Sequence, residues 1–260
     1  MDFLMYLVLG ACSGVLAGLF GIGGGLIIVP VLVFSFAAQG VAPEVLTHLA
    51  VGTSLAAILF TSINSVLAHH KKGAVLWPLV TWLAGGILVG SALGGVTASL
   101  IPGEDLQQII GVFAIVMAFQ MWFGWRPKGD PKPVAKPTLV GAGGIIGWAS
   151  AIFGIGGGSL MVPFLSWKGT EMKQAVATSA ACGLPIALSG ALTFMVTGYG
   201  HADLPDNSIG YVYLPALVGI AATSMFSARL GARLAHSLDS GLLKKLFAVL
   251  LLFVGSSFLF

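Results

Sequence analysis

Apolar residues fill the chain in long runs, at 3–20, 22–38, 46–68, 74–100, 106–123, 139–152, 155–167, 174–197, 210–228 and 242–260, and the charged residues fall between them or at their ends. A bilayer core about 30 Å thick takes roughly 20 residues of helix, so runs of this length predict membrane helices. The strict polar/apolar alternation over about ten residues that marks a barrel strand is missing. The first run follows only Met1-Asp2, without a basic leader, and reads as mature structure rather than a signal peptide. Composition agrees: with 57% apolar and 8% charged residues the chain cannot cover a soluble fold with polar surface. The pattern predicts an all-α integral membrane protein.

Charge then orients the runs. All twelve Lys and Arg lie around 71–72, 126–136, 168–173 and 229–245. The connectors at 39–47, 101–105 and 198–209 hold Glu44, Glu104, Asp105, Asp203 and Asp206 and no basic residue. The positive-inside rule puts the first set in the cytoplasm and the second outside. Alternation holds throughout if residues 3–38 form a hairpin entering from outside and 139–167 one entering from inside. Both termini are then external.

The chain also repeats itself. FGIGGGLIIVP at 20–30 returns as FGIGGGSLMVP at 153–163, identical at eight of eleven positions. AVGTS at 50–54 matches AVATS at 175–179, and Pro78 falls opposite Pro215. Equivalent connectors carry opposite charge, 69–73 basic against 198–209 acidic, so the halves run inversely through the membrane. RPKGDPKPVAKP at 126–137 is rich in proline and basic residues and reads as a cytoplasmic linker. The predicted division is a first repeat at 1–125, a linker at 126–138 and a second repeat at 139–260, each repeat a glycine-tipped hairpin plus three membrane helices.

Four glycines in five residues, twice, are more than close packing requires. Small-xxx-small patterns such as Gly10/Gly14/Gly18 and Gly86/Gly90/Gly94 are ordinary packing signals. The GIGGG breaks instead restart a helix inside the membrane, where irregular backbone is tolerated only when buried or facing a polar cavity. The restarted helix offers free N–H groups and a dipole end of about +0.5 charge, a setting for an anion. Gly23, Gly24, Gly25, Gly156, Gly157 and Gly158, with Ser159, are the candidate anion-binding tips. GIGGGL lacks both the third glycine and the βαβ context of a dinucleotide fingerprint.

The duplicated FGIGGG motif, the AVGTS and AVATS segments and the basic mid-chain linker resemble the TauE/SafE family of sulfite and organosulfonate exporters across essentially the whole chain. The resemblance implies a bacterial inner-membrane transporter of small sulfur-containing anions such as sulfite, sulfoacetate or related sulfonates. The residues support an anionic cargo separately, because all nine Asp and Glu fall in connectors or at run ends. Polar positions inside the third run of each half, Thr53, Ser54 and Asn64, are answered at a shift of 125 by Thr178, Ser179 and Ser189. Their donors could surround a sulfonate, or satisfy helix carbonyls in the manner usual for membrane Ser and Thr. His48 and Lys173 occupy equivalent mouths, and Arg229 is a possible path residue. The tryptophans read as interfacial anchors, and Cys12 and Cys182 as packing residues.

The function read from this is secondary transport with alternating access, the anion sitting at the repeat interface near the midplane. An anion channel using the same tips is the alternative. No Ser/His pair, metal cluster or buried carboxylate supports an intramembrane enzyme. No cofactor and no nucleic-acid partner is expected; the partners are the anion and the bilayer.

Overall fold

The computed structural model describes residues 2–20, 24–124, 135–235 and 240–260. These form α1 (Asp2–Phe20), α2 (Gly25–Ala38), α3 (Pro43–Lys71), α4 (Trp77–Leu100), α5 (Gly103–Phe123), α6 (Lys136–Ile152), α7 (Gly158–Trp167), α8 (Met172–Thr197), α9 (Leu214–Ala235) and α10 (Ser240–Leu259). Local chemistry marks many of the ends. Proline opens the first turn of α3, α4 and α6, where its missing N–H costs no ladder bond. Glu44 and Glu104/Asp105 stand in the first turns of α3 and α5, and His69, His70 and Lys71 in the last turn of α3, each matching the dipole end it faces. The predicted linker at 126–138 lies outside the described residues as far as 134.

Among the described residues α3, α4, α5 and α8 are long and apolar enough to cross a membrane. Their outer faces expose Val89, Leu93, Val112, Val116, Phe119 and Val196, as a lipid-facing surface does and a water-facing one rarely would. Residues 45–58 of α3 are buried without a break, which makes this helix the centre of the assembly.

Packing pairs the helices reciprocally. α1 lies along α9, with Gly10 against Ile220 and Thr223 and Gly14 against Ser224 and Ser227. α4 lies along α6, with Gly86 against Val140, Gly90 against Gly144 and Gly94 against Trp148. Residue numbers rise together in both pairs, so both are parallel. α3 and α8 run antiparallel, Gly52 meeting Phe194, Leu55 meeting Gly190 and Ser62 meeting Gly183. So do α5 and α10, where Gly111 meets Phe258 and Gly255 meets Ile115. A side chain at most of these glycines would strike backbone, so the small-residue patterns serve packing as their spacing suggested.

Two features depart from the sequence reading. The apolar run expected from residue 210 begins instead as a β-hairpin, β1 (Ser208–Ile209) and β2 (Val212–Tyr213), with Ser208 opposite Tyr213. Its turn residue Gly210 has φ +53 and its missing Cβ leaves room for the Met195 carbonyl, so the turn nests on the end of α8. Cys182 is buried, as a packing residue should be, but Cys12 is exposed. It points away from the Gly10/Gly14 face that packs on α9.

Candidate anion site at the glycine breaks

The first break ends at Gly24, the N-cap of α2, whose φ of +77 belongs to the left-handed region that glycine enters freely. Its carbonyl accepts from Ile27 N–H and Ile28 N–H, which starts the helix ladder. Gly23 lies outside the described residues. The second break turns at Gly154, φ +64, and its helix α7 starts its ladder with Met161 N–H donating to Gly157 O at 2.8 Å. The N–H groups of Gly158, Ser159 and Leu160 precede that bond, as the first N–H groups of any helix do. Both restarted helices carry a proline at their sixth position, Pro30 and Pro163, which withdraws a further ladder bond just beyond the tip.

The two breaks touch. A Cβ on Gly25 would stand 2.6 Å from Ile155 Cα and 2.7 Å from the Gly154 carbonyl oxygen, so the start of α2 lies directly on the backbone of the second tip. α3 and α8 flank them. Ser54 Oγ donates to Gly154 O at 2.9 Å, and a Cβ on Gly157 would lie 2.9 Å from Ser179 O. Gly154, Ile155, Gly156 and Gly157 are all buried. Behind them Phe153 stacks on Phe113 of α5 with ring centres 3.9 Å apart, and Leu26, Ile27 and Ile155 pack with Ala114, Met117, Phe247 and Leu251 of α5 and α10.

The predicted hydroxyls divide into three groups. Thr53 and Thr178 are fully buried, and each accepts a backbone N–H from across the chain: Thr53 Oγ1 from Tyr213 at 3.0 Å, and Thr178 Oγ1 from Leu76 at 3.1 Å. Those N–H groups belong to the entries of α9 and α4, so each threonine caps a helix of the other half. Ser189 donates to Leu88 O at 2.7 Å and joins α8 to α4 away from the tips, while Asn64 is half-buried further along α3. Ser179 and Ser159 are 1% and 4% exposed, and neither hydroxyl has a protein partner. An unpartnered buried hydroxyl costs about 1–3 kcal/mol, which makes these two candidate donors at the tips; Ser150, whose carbonyl accepts the Ile155 N–H, is buried and unpartnered too.

Sequence reasoning missed Ser62. It is buried, and its Oγ lies 3.2 Å from where a Cβ of Gly183 would stand, with Gly157 N 3.7 Å from the same point. Its counterpart at the repeat shift is Ala187, so no pairing flagged it.

The path residues lie elsewhere. His48, at the first turns of α3, places Nδ1 3.2 Å from Glu44 O and Nε2 3.1 Å from both Ala98 O and Ile101 O. It ties α3 to the connector after α4. Its ring stacks on Tyr211 at 5.0 Å, where burial pushes the Tyr211 phenol above its ordinary value. Lys173 is exposed, and Arg229 lies in α9 with its side chain outside the described residues.

The chain matches the sulfite exporter TauE/SafE family profile over residues 6–258. It belongs to the TauE/SafE family. A probable membrane transporter protein of Haemophilus influenzae is 40% identical over 97% of the chain and 96% of that protein. Another, from Methanocaldococcus jannaschii, is 30% identical over 88% of the chain and 85% of its own length, and the Bacillus subtilis probable membrane transporter protein YunE is 27% identical over the whole chain. No solved structure matches it. The family and the names of these relatives indicate a multi-pass membrane transporter, and the glycine breaks lie inside the matched region.

Proposed function

We propose that this TauE/SafE protein moves a small oxyanion of sulfur, sulfite or an organosulfonate, by alternating access, and holds it where the two glycine breaks meet. The observation that carries this reading is the contact of Gly25 with Gly154 and Ile155, beside two buried hydroxyls that no protein group satisfies. Each break begins a helix, and each helix start presents N–H groups and about half a positive charge. Ser159 and Ser179 add hydroxyl donors, so the oxygens of a sulfur oxyanion meet neutral hydrogen bonds rather than a cation. A full ion pair at low dielectric would hold the anion too firmly for release.

Alternating access follows from inversion of the halves. The antiparallel pairing of α3 with α8 and of α5 with α10 supports it, because each pair consists of elements equivalent by sequence. The reciprocal caps at Thr53 and Thr178 support it again, since exchanging the halves exchanges the two bonds. In this reading residues 1–125 and 139–260 rock about the tips, with the basic linker 126–138 in the cytoplasm of a bacterial cell and both termini periplasmic. Counterflow in proteoliposomes tests it: internal unlabelled sulfite or sulfonate should drive saturable uptake of the same labelled anion. Flux that rises linearly with concentration and shows no counterflow would replace the transporter with a channel.

A further inference from the structure

Outside the tips, the structure carries a groove between α4 and α6 with no assigned occupant. Its volume is about 390 Å³, and its floor is glycine: Gly85, Gly86, Gly90 and Gly144. A Cβ on Gly85 would meet nothing within 4 Å, so the groove is open there, while Gly86 and Gly90 press on the backbone of Val140 and Gly144 and close its base. Val89 and Ile145, 62% and 71% exposed, form its walls. The groove extends from Gly85 to Leu93. Eight residues of helix rise about 12 Å, close to the roughly 15 Å of hydrocarbon in one leaflet.

One mouth of the groove is cationic. On α6, Lys136, Val140, Gly144 and Trp148 follow at four-residue steps along one face, so Lys136 stands one turn before the first wall residue. Its ammonium sits 4.8 Å from the centre of the Trp82 ring on α4, and among the described residues no carboxylate pairs with it. A cation lying on an aromatic ring at the end of an apolar slot of leaflet length is complementary to a phosphodiester joined to a hydrocarbon chain.

We infer that the α4/α6 groove binds one acyl chain of an anionic phospholipid, with the lipid phosphate at Lys136. The shape excludes a bulky side-chain ridge along its glycine floor but admits an unbranched chain, and the charge selects an anionic headgroup over a zwitterionic one.

The test uses the full chain, delipidated in mild detergent and titrated with phosphatidylglycerol or with phosphatidylcholine of the same acyl chains, with bound lipid counted by native mass spectrometry. The wild type should retain phosphatidylglycerol in preference to phosphatidylcholine. Lys136→Gln should weaken phosphatidylglycerol about five-fold and leave phosphatidylcholine unchanged, the effect of one basic residue near an anionic surface. Gly85→Leu, whose Cβ enters open space, should abolish retention of both while keeping the melting temperature of the lipid-free protein. Retention unaffected by either substitution would overturn the proposal, as would equal retention of the two lipids. A lipid-free dimer that Gly85→Leu dissolves would also overturn it, by assigning the groove to a second copy of the chain.

Discussion

Ser54 and Ser179 are equivalent by sequence but sit in different circumstances, and replacing each by alanine should therefore have opposite effects. Ser54 Oγ donates to Gly154 O at 2.9 Å, so Ser54→Ala leaves a buried carbonyl unpaired and should destabilise the empty protein by about 1–3 kcal/mol. Ser179 is 1% exposed and its hydroxyl has no protein partner. Ser179→Ala removes a group that costs about 1–3 kcal/mol to bury and should raise the stability of the empty protein, less a small loss for the vacated oxygen volume. With the usual size scaling, a change of 1 kcal/mol moves the melting temperature by about 2–4 °C, so the two variants should straddle the wild type by several degrees. Anion binding should reverse the order. If Ser179 donates to bound anion, its loss should cost about 1.5–3 kcal/mol, or roughly ten- to a hundred-fold in affinity, whereas Ser54→Ala should bind nearly as the wild type does. Thermal unfolding of the purified protein across an anion titration reads both quantities, because ligand stabilises by mass action. Equal destabilisation by the two variants, with affinity unchanged in both, would show Ser179 to be a packing residue and refute the assignment.

Thr178→Val should destabilise by about 1–3 kcal/mol, because Leu76 N–H loses its acceptor, while Thr178→Ser should recover most of that in the same melting assay. His48→Phe should cost a similar amount by removing the donor shared by the Ala98 and Ile101 carbonyls, without altering which anions bind. Gly25→Leu should abolish counterflow, since its side chain would have to displace the backbone at Gly154 and Ile155; a fully active variant would reduce the tips to packing elements. Cysteines placed at 72 and 132 should resist a membrane-impermeant thiol reagent added from outside, and one at 203 should react; the opposite pattern would invert the topology.

Much of the fold was legible because the helix boundaries are chemical. The run at 106–123 became α5 at 103–123, and that at 155–167 became α7 at 158–167, since glycine, proline and charge punctuate the chain where the helices stop. The hairpin at 208–213 was hidden because Tyr211, Val212 and Tyr213 continue an apolar run, and the bonds that hold them outside the helix, Tyr211 N–H to Phe194 O and Tyr213 N–H to Thr53 Oγ1, reach residues distant in sequence. The glycine breaks were legible from composition and repetition, and the expectation of inverted halves called for contact between them such as that of Gly25 with Gly154 and Ile155. What the hydroxyls do was not. Thr53 and Thr178 bond backbone 160 and 102 residues away, and no periodicity in one segment reports such a partner. Ser62 escaped for the converse reason: repetition was the signal, and its counterpart is Ala187.

The central claim is that one anion is shared by both halves at the meeting of the breaks. Calorimetric titration of the purified protein with sulfite and a panel of sulfonates, repeated on Gly25→Leu and Gly157→Leu, tests it most directly. The account predicts one anion bound per chain and loss of that binding in either variant, although the substitutions lie in different halves. Two anions per chain, or binding that survives in one of the variants, would contradict it.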